Sequence, residues 1–235
     1  GTDAKKGALR RGLKLLRADC RDVGPGRLRL LRLRAESWVN AWNRHFRPIE
    51  ICNALLLRPS CSRRRPNPAQ AVVTLDPGLS FGTGQHPTTR FCLEQIVACR
   101  NLAPAPSLLD AGTGSGILAI AAAKLGYKPI LAFDFDPVSV KAARANARAN
   151  NVAARARFSR GDVRRPPIGP AARFDVVCAN LTTDLLLAEA RRIARWRRPK
   201  GRLVLAGILA REFRGVCEVY ERLGLGLVTT RADRE

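Results

Sequence analysis

Methionine is absent from all 235 residues, including the first position, and the expectation is a chain shortened relative to its full-length form. Histidine occurs only twice, and the seven cysteines are scattered with no C-x-x-C pair. That leaves no zinc-type ligand set, so no metal is expected. An odd number of dispersed thiols points to a reducing, cytoplasmic compartment. The opening "GTDAKKGALRRGLKLL" lacks the apolar core of a secretion signal. No run of about 18 uncharged apolar residues occurs, which excludes a membrane-spanning helix. Acidic residues are few, 19 Asp and Glu against 42 Lys and Arg, for a formal charge of +23. Such a balance suits attraction to RNA, or to a partner bound to RNA. Arg/Ala-rich coding produces the same excess without a function, as in "KAARANARANNVAARARF", and the arginines are spread over every segment. Both readings of the charge stand.

What is present suits one sizeable domain with a small attachment, at 46% hydrophobic residues. Residues 1–35 read as a helix, with Leu9, Leu13 and Leu16 on one face, then a turn at "GPG" and a strand "RLRLLRLR". One helix and one strand cannot bury a core, so this is a partial α+β segment. Residues 36–70 read as a linker. It carries Trp38 and Trp42 one helical turn apart and the basic, proline-broken loop "CSRRRPNPAQ". The tryptophans either anchor a linker helix or stack on bases.

From residue 71 to 235 strands and helices alternate. The strands are "AVVTL", "SLLDAG", "PILAFDF", "ARFSR", "FDVVCAN", "GRLVLAGI" and "GLGLVTT". The helices begin at Pro87, Ser115, Pro137, Thr183 and Ala210, the fourth of them continuous to Trp196. Apolar strands separated by helices predict an α/β fold, a doubly wound, mostly parallel sheet covered on both faces.

"LLDAGTGSG" ends a strand and opens a helix. Gly112, Gly114 and Gly116 permit a tight turn and close approach of backbone to a ligand. About 20 residues on, the next strand ends at Asp134, where a carboxylate can accept both hydroxyls of a ribose. Asp136 and Pro137 read as the N-cap and first position of the following helix. The loop is D-x-G-x-G-x-G and not the G-x-G-x-x-G of a pyrophosphate site. It resembles S-adenosylmethionine-dependent methyltransferases of Rossmann-like fold, whose cofactor has an adenosine without a phosphate. In that fold Asp162 of "RGDV" lies where adenine is often contacted. As a turn aspartate it has an equally good structural reading.

The stretch "LDPGLSFGTGQHPTTR" (75–90) precedes the helix that leads into the glycine loop, so it can fold over the cofactor pocket. His86, Thr88 and Thr89 supply donors and acceptors there, and Thr88 or Thr89 is expected to cap the helix. Phe81, Gly82 and Thr83 are counted with the cofactor contacts.

"DPGLSFGTGQHPTTRFCLE", with "LLDAGTGSGILAIAAAKLG", "AFDFDP", "FDVVCANL", the upstream "W…W…HFRPIEI" and the late "GRLVLAGIL", closely resembles the ribosomal-protein L-eleven lysine methyltransferases, the PrmA family. The resemblance covers about residues 36–225. It implies methylation of amino groups of a large-subunit ribosomal protein, and the accompanying expectation is a monomer away from membranes, with rRNA close by. It carries cofactor contacts to Thr89, Gly112, Asp134 and Asn180. Family members have a complete N-terminal α+β domain that captures the ribosomal protein, of which residues 1–35 match only the last helix and strand. They also end on an antiparallel strand pair that this chain stops short of.

Methyl transfer is an in-line displacement on an already activated carbon, so alignment can supply roughly 7–11 kcal/mol. Asn180, His86 and Thr88 form the candidate catalytic set. Asn180 is uncharged and holds the amine without acting as a base. His86 can accept a proton or position the loop. A nucleic-acid methyltransferase on the same fold is the alternative, but "ANLTTD" stands where an Asn/Asp-Pro-Pro-aromatic motif belongs. A basic RNA-binding module without catalysis has no use for Asp134, Asn180 and the glycine loop together. A nicotinamide oxidoreductase fails on the glycine pattern.

Overall fold

A computed structural model describes residues 47–76 and 84–233, together with Gly7 and Leu9, which are helical. The chain divides into two units, Gly1–Trp38 and Val39–Glu235. The expected strand near residue 30 and the tryptophan pair Trp38 and Trp42 lie outside the described residues, as do Phe81, Gly82 and Thr83.

In the second unit the strands are β1 (Ile49–Ile51), β2 (Leu55–Arg58), β3 (Ala71–Thr74), β4 (Leu108–Ala111), β5 (Ile130–Asp134), β6 (Ala156–Arg160), β7 (Phe174–Asn180) and β8 (Arg197–Ala206). The helices are α1 (Pro87–Ala98), α2 (Ile117–Lys124), α3 (Pro137–Ala149), α4 (Thr183–Ala188), α5 (Ala190–Arg195) and α6 (Phe213–Arg222). Five strands form an all-parallel sheet in the order β6-β5-β4-β7-β8. The side chains of its central strands alternate between two apolar layers. Leu108, Val176 and Cys178 face a layer with α1, α2 and α3, and Leu109, Val177 and Ala179 face one with α4, α5 and α6. Burial on both faces explains the near-continuous apolar strands. Phe133 and Trp196 close the second layer edge to face, with centroids 6.0 Å apart. The fold expected from the alternating pattern is the one observed.

Strand order decides where a ligand can sit. From β4 the chain winds outward through β5 to β6, then returns to place β7 on the other side of β4. The crevice at the carboxyl ends of β4 and β7 is therefore the topological switch point.

Five local expectations are corrected. Residues 49–58, inside the stretch read as a linker, form a hairpin around the positive-φ pair Cys52 and Asn53. Its second strand pairs in parallel with β3 in a separate three-stranded sheet. Leu55, Leu56 and Leu57 are fully buried, so this segment belongs to the core of the domain. "AVVTL" accordingly joins the small sheet and not the large one. The sheet is tied to α3 by Asn150. Its Oδ1 accepts from Thr74 N–H (2.8 Å), and its Nδ2 donates to the Thr74 carbonyl (2.7 Å), standing in for a strand neighbour.

The expected helix from Thr183 to Trp196 breaks at Glu189, which leaves helical dihedrals at φ −107°, ψ 15°. Leu186, Ala190 and Ile193, at the i, i+4, i+7 spacing of one helical face, are buried on both sides of the break. The expected final strand "GLGLVTT" is irregular. Among the described residues no strand pairs with it, and β-propensity without a ladder partner does not make a strand. Finally, α1 is capped by His86, not by Thr88 or Thr89. Proline takes the first helical position, which makes the residue before it the N-cap. Among the described residues no helix is long and apolar enough to cross a membrane, and no group of three or more His, Cys, Asp or Glu could hold a metal ion.

Candidate active site

β4 delivers the glycine turn to the switch point. Gly112, Gly114 and Gly116 all have positive φ (79°, 53° and 83°). At Gly112 the positive φ is what favours glycine; an added Cβ would also lie 2.5 Å from Leu181 Cδ2, which would have to shift. The turn is tied to β5 by N–H groups of Gly112 and Thr113, both donating to the Phe133 carbonyl (2.9 and 3.0 Å). Gly114 N–H donates to Asp134 Oδ2 (2.8 Å), and Asp136 N–H donates to Oδ1 of the same carboxylate (3.0 Å). Asp134 thus braces the glycine turn on one side and the start of α3 on the other. Each of its oxygens keeps further lone-pair capacity, the acceptor pair a vicinal diol needs. Asp136 caps α3 through Val138 N–H (2.9 Å) and Ser139 N–H, with Pro137 in the first position, as the sequence implied.

β7 delivers Asn180 from the other side of the crevice. Its Nδ2 donates to Thr88 Oγ1 (3.2 Å), which lies 2.7 Å from His86 Nδ1. Thr88 N–H also donates to that Nδ1 (3.3 Å). With the ring nitrogen accepting, the Thr88 hydroxyl donates to it, and a directed chain runs from the Asn180 amide through Thr88 to His86. The three catalytic candidates are therefore one hydrogen-bonded unit. Because Nδ2 is engaged, Oδ1 is the Asn180 atom left to accept from a ligand. Thr89 is 2% exposed and its Oγ1 is buried without a hydrogen-bond partner. An orphaned hydroxyl beside this chain is what a polar ligand atom would satisfy. The donor and acceptor set fits an adenosyl amino-acid compound: an acceptor pair at Asp134, half-buried backbone without a side chain at Gly112 and Gly114, and polar groups at Thr89 and Asn180.

Asp162 lies just past the end of β6. Its Oδ1 accepts from Arg164 N–H (2.8 Å), and its side chain is 43% exposed. The turn role is realised in this structure.

Three residues gain importance only here. Phe135 is 72% exposed between Asp134 and Asp136, a bare aromatic face beside the Asp134 carboxylate. The signal in "FDFDP" is an aromatic residue between two acids at a strand end. Gly207, in "LAGI", has φ 86°, and an added Cβ would lie 2.3 Å from the Leu181 carbonyl oxygen and 3.2 Å from Asn180 Oδ1. The obstacle is backbone and cannot rotate away. Gly207→Ala is expected to cost about 1–3 kcal/mol in urea unfolding. It should also lower turnover by displacing Asn180.

Asp110, the first letter of D-x-G-x-G-x-G, is 1% exposed and accepts from Thr113 Oγ1 (2.6 Å). Burial pushes its carboxyl up to about 7, against the opposing pull of the Thr113 hydroxyl. A carboxyl raised in the folded state contributes stability that is complete below its unfolded value near 3.8 and is lost as pH rises through about 7. Asp110→Asn cannot ionise. The stability of wild type relative to this variant should therefore fall between pH 4 and pH 7.5, measured by denaturant titration at each pH. A flat difference would contradict the assignment.

The family model described as Ribosomal protein L11 methyltransferase (PrmA) matches residues 8–235. A Ribosomal protein L11 methyltransferase of Geobacter metallireducens is 38% identical over 214 residues, 91% of this chain and 69% of that protein. One from Geobacter sulfurreducens is 39% identical over 86% of this chain and 65% of that protein. The chain thus spans about two thirds of the length of these curated relatives. Among solved structures, the ribosomal protein L11 methylase of Lactobacillus delbrueckii subsp. bulgaricus superposes with a TM-score of 0.70 at 28% identity, covering 80% of this chain and 95% of that one.

Proposed function

The chain belongs to the ribosomal protein L11 methyltransferase (PrmA) family, and from that premise we propose that it is an S-adenosylmethionine-dependent methyltransferase acting on amine nitrogens, lysine among them, of the large-subunit ribosomal protein L11. The observation that carries the reading is the meeting, at one crevice, of the Asp134-braced glycine turn and the Asn180–Thr88–His86 chain. Asp134 would hold the ribose hydroxyls, Gly112 and Gly114 the amino-acid portion, and Phe135 a face of the adenine. Thr89 and Asn180 would contact the reacting end. Asp162 and the loop residues Phe81, Gly82 and Thr83 complete the proposed contacts. Bound there, S-adenosylmethionine supplies a methyl group on a sulfonium sulfur, an electrophile that needs no further activation.

The chain's own task is to present a neutral amine in line. A free lysine has a pKa of about 10.4, so an apolar approach that disfavours the ammonium is part of the chemistry. Asn180 Oδ1 accepts one amine hydrogen and so aims the nitrogen lone pair. The engagement of Nδ2 by Thr88 keeps the amide from turning over. Asn180 does not remove the proton, which leaves to solvent before attack. We place the enzyme in the cytoplasm as a monomer, working on ribosomal protein free or close to rRNA.

The test is incubation with methyl-labelled cofactor and either purified large-subunit proteins or rRNA, read by mass spectrometry. Label on protein L11 amines is expected. Label confined to rRNA would replace this reading with a nucleic-acid methyltransferase.

A further inference from the structure

Beside the candidate site, α3 and the end of β6 enclose a trough of about 340 Å³ lined by Pro137, Val140, Lys141, Arg144, Arg148 and Arg160. Lys141, Arg144 and Arg148 follow one another at spacings of three and four along one helical face. Arg160 is the register partner of Asp134, so the trough opens at the same carboxyl end of the sheet as the glycine turn.

The charge of this trough is largely unbalanced. Elsewhere Arg90, Arg192, Arg198, Arg214 and Arg231 each lie against a carboxylate. Among the described residues no ion pair engages Lys141, Arg144, Arg148 or Arg160. Two of these guanidinium groups are instead positioned by backbone carbonyls. Arg144 donates from Nε and Nη2 to the Phe158 carbonyl (3.1 and 2.6 Å), and Arg160 from Nε to the Phe135 carbonyl (3.4 Å). A carbonyl fixes a guanidinium without cancelling its charge and leaves most of its five N–H donors free. The nearby acid, Asp136, caps α3 through Val138 and Ser139, and its carboxylate offsets part of the Arg160 charge, leaving Lys141, Arg144 and Arg148 unbalanced. Arginine-rich coding leaves many cations of this chain without an ion pair; what sets this place apart is that four of them line one trough, two with guanidinium groups fixed by backbone carbonyls. Charge on an edge strand deters edge-to-edge association, but that role asks nothing of the α3 face.

We infer that this trough docks the phosphodiester backbone of RNA alongside the methyl-transfer crevice. Cations repeating about every 5–6 Å along a helix face meet a polymer that carries one charge per repeat. Guanidinium forks suit phosphate oxygens in particular. The choice of RNA over DNA rests on the ribosomal reading given above. The trough itself does not depend on that reading.

The test measures binding of a labelled rRNA fragment by fluorescence anisotropy across a salt series. It compares wild type, Lys141→Glu/Arg148→Glu and, as a control at the opposite edge of the sheet, Lys200→Glu/Arg202→Glu. The first variant should bind RNA at least roughly tenfold more weakly near 0.1 M salt, and its log K–log salt slope should flatten by about 1.5. The control should change little, and cofactor binding by calorimetry should match wild type in both variants. Equal loss in both variants would mean diffuse attraction by net charge and would overturn the proposal. Preferential capture of duplex DNA, a polyglutamate peptide or phosphatidylserine vesicles over RNA would overturn it as well. Cofactor binding without RNA binding would sink this inference and leave the methyltransferase reading intact. RNA binding without cofactor binding would do the reverse.

Discussion

Asn180→Ala is expected to lower kcat by about 10²–10³, the usual loss for one preorganised polar contact at a reacting centre. The unfolding free energy should move by less than about 1 kcal/mol, because the residue is only partly buried and ends its strand. Two functions go at once. The Oδ1 acceptor proposed to aim the amine is removed, and so is the Nδ2 donor that ties β7 to Thr88. Thr88 keeps His86, so α1 stays capped. Steady-state kinetics with the ribosomal protein and calorimetry with the cofactor separate the effects: turnover falls far more than cofactor affinity. Asn180→Asp keeps an acceptor oxygen but adds an anion, which favours the protonated, non-nucleophilic amine. Its rate should recover only toward higher pH. Parallel losses of activity and stability in the alanine variant would count against a catalytic role.

Asp134→Asn removes one heavy-atom charge and no volume, yet cofactor affinity should fall by roughly 10²–10³. Two hydrogen bonds to a charged acceptor, each contributing about 1.5–3 kcal/mol, are weakened together. The wild-type carboxylate faces Gly114 N–H with one oxygen and Asp136 N–H with the other. An amide has only one acceptor oxygen, so its NH₂ must point at one of these N–H groups. Either the glycine turn or the start of α3 loses its brace, and the ribose loses half of its acceptor pair. Calorimetric titration with cofactor product measures the loss. A change below about fivefold would show that this carboxylate does not hold the ribose.

The repeated β-α rhythm, the glycine turn, Asp134 at the end of the next strand and the Asp136–Pro137 start of α3 were all legible in the chain. These are local features. Strand burial is written in short apolar runs, and a glycine turn is written in residues that alone tolerate positive φ. A strand-end acid lies at a distance set by one βα unit. What only the tertiary structure decided is which remote segments meet. Asn180 reaches Thr88 across 92 positions and Asn150 reaches Thr74 across 76. Residues 49–58 leave the linker role to build a second sheet, "GLGLVTT" stays irregular for want of a neighbour, and Gly207 crowds Asn180. The reason is the range of the forces involved. Periodicity and turn preference act within a few residues and repeat along the chain. A single hydrogen bond between distant strand and helix ends has no period, and it exists only because the order β6-β5-β4-β7-β8 brings those ends to one crevice.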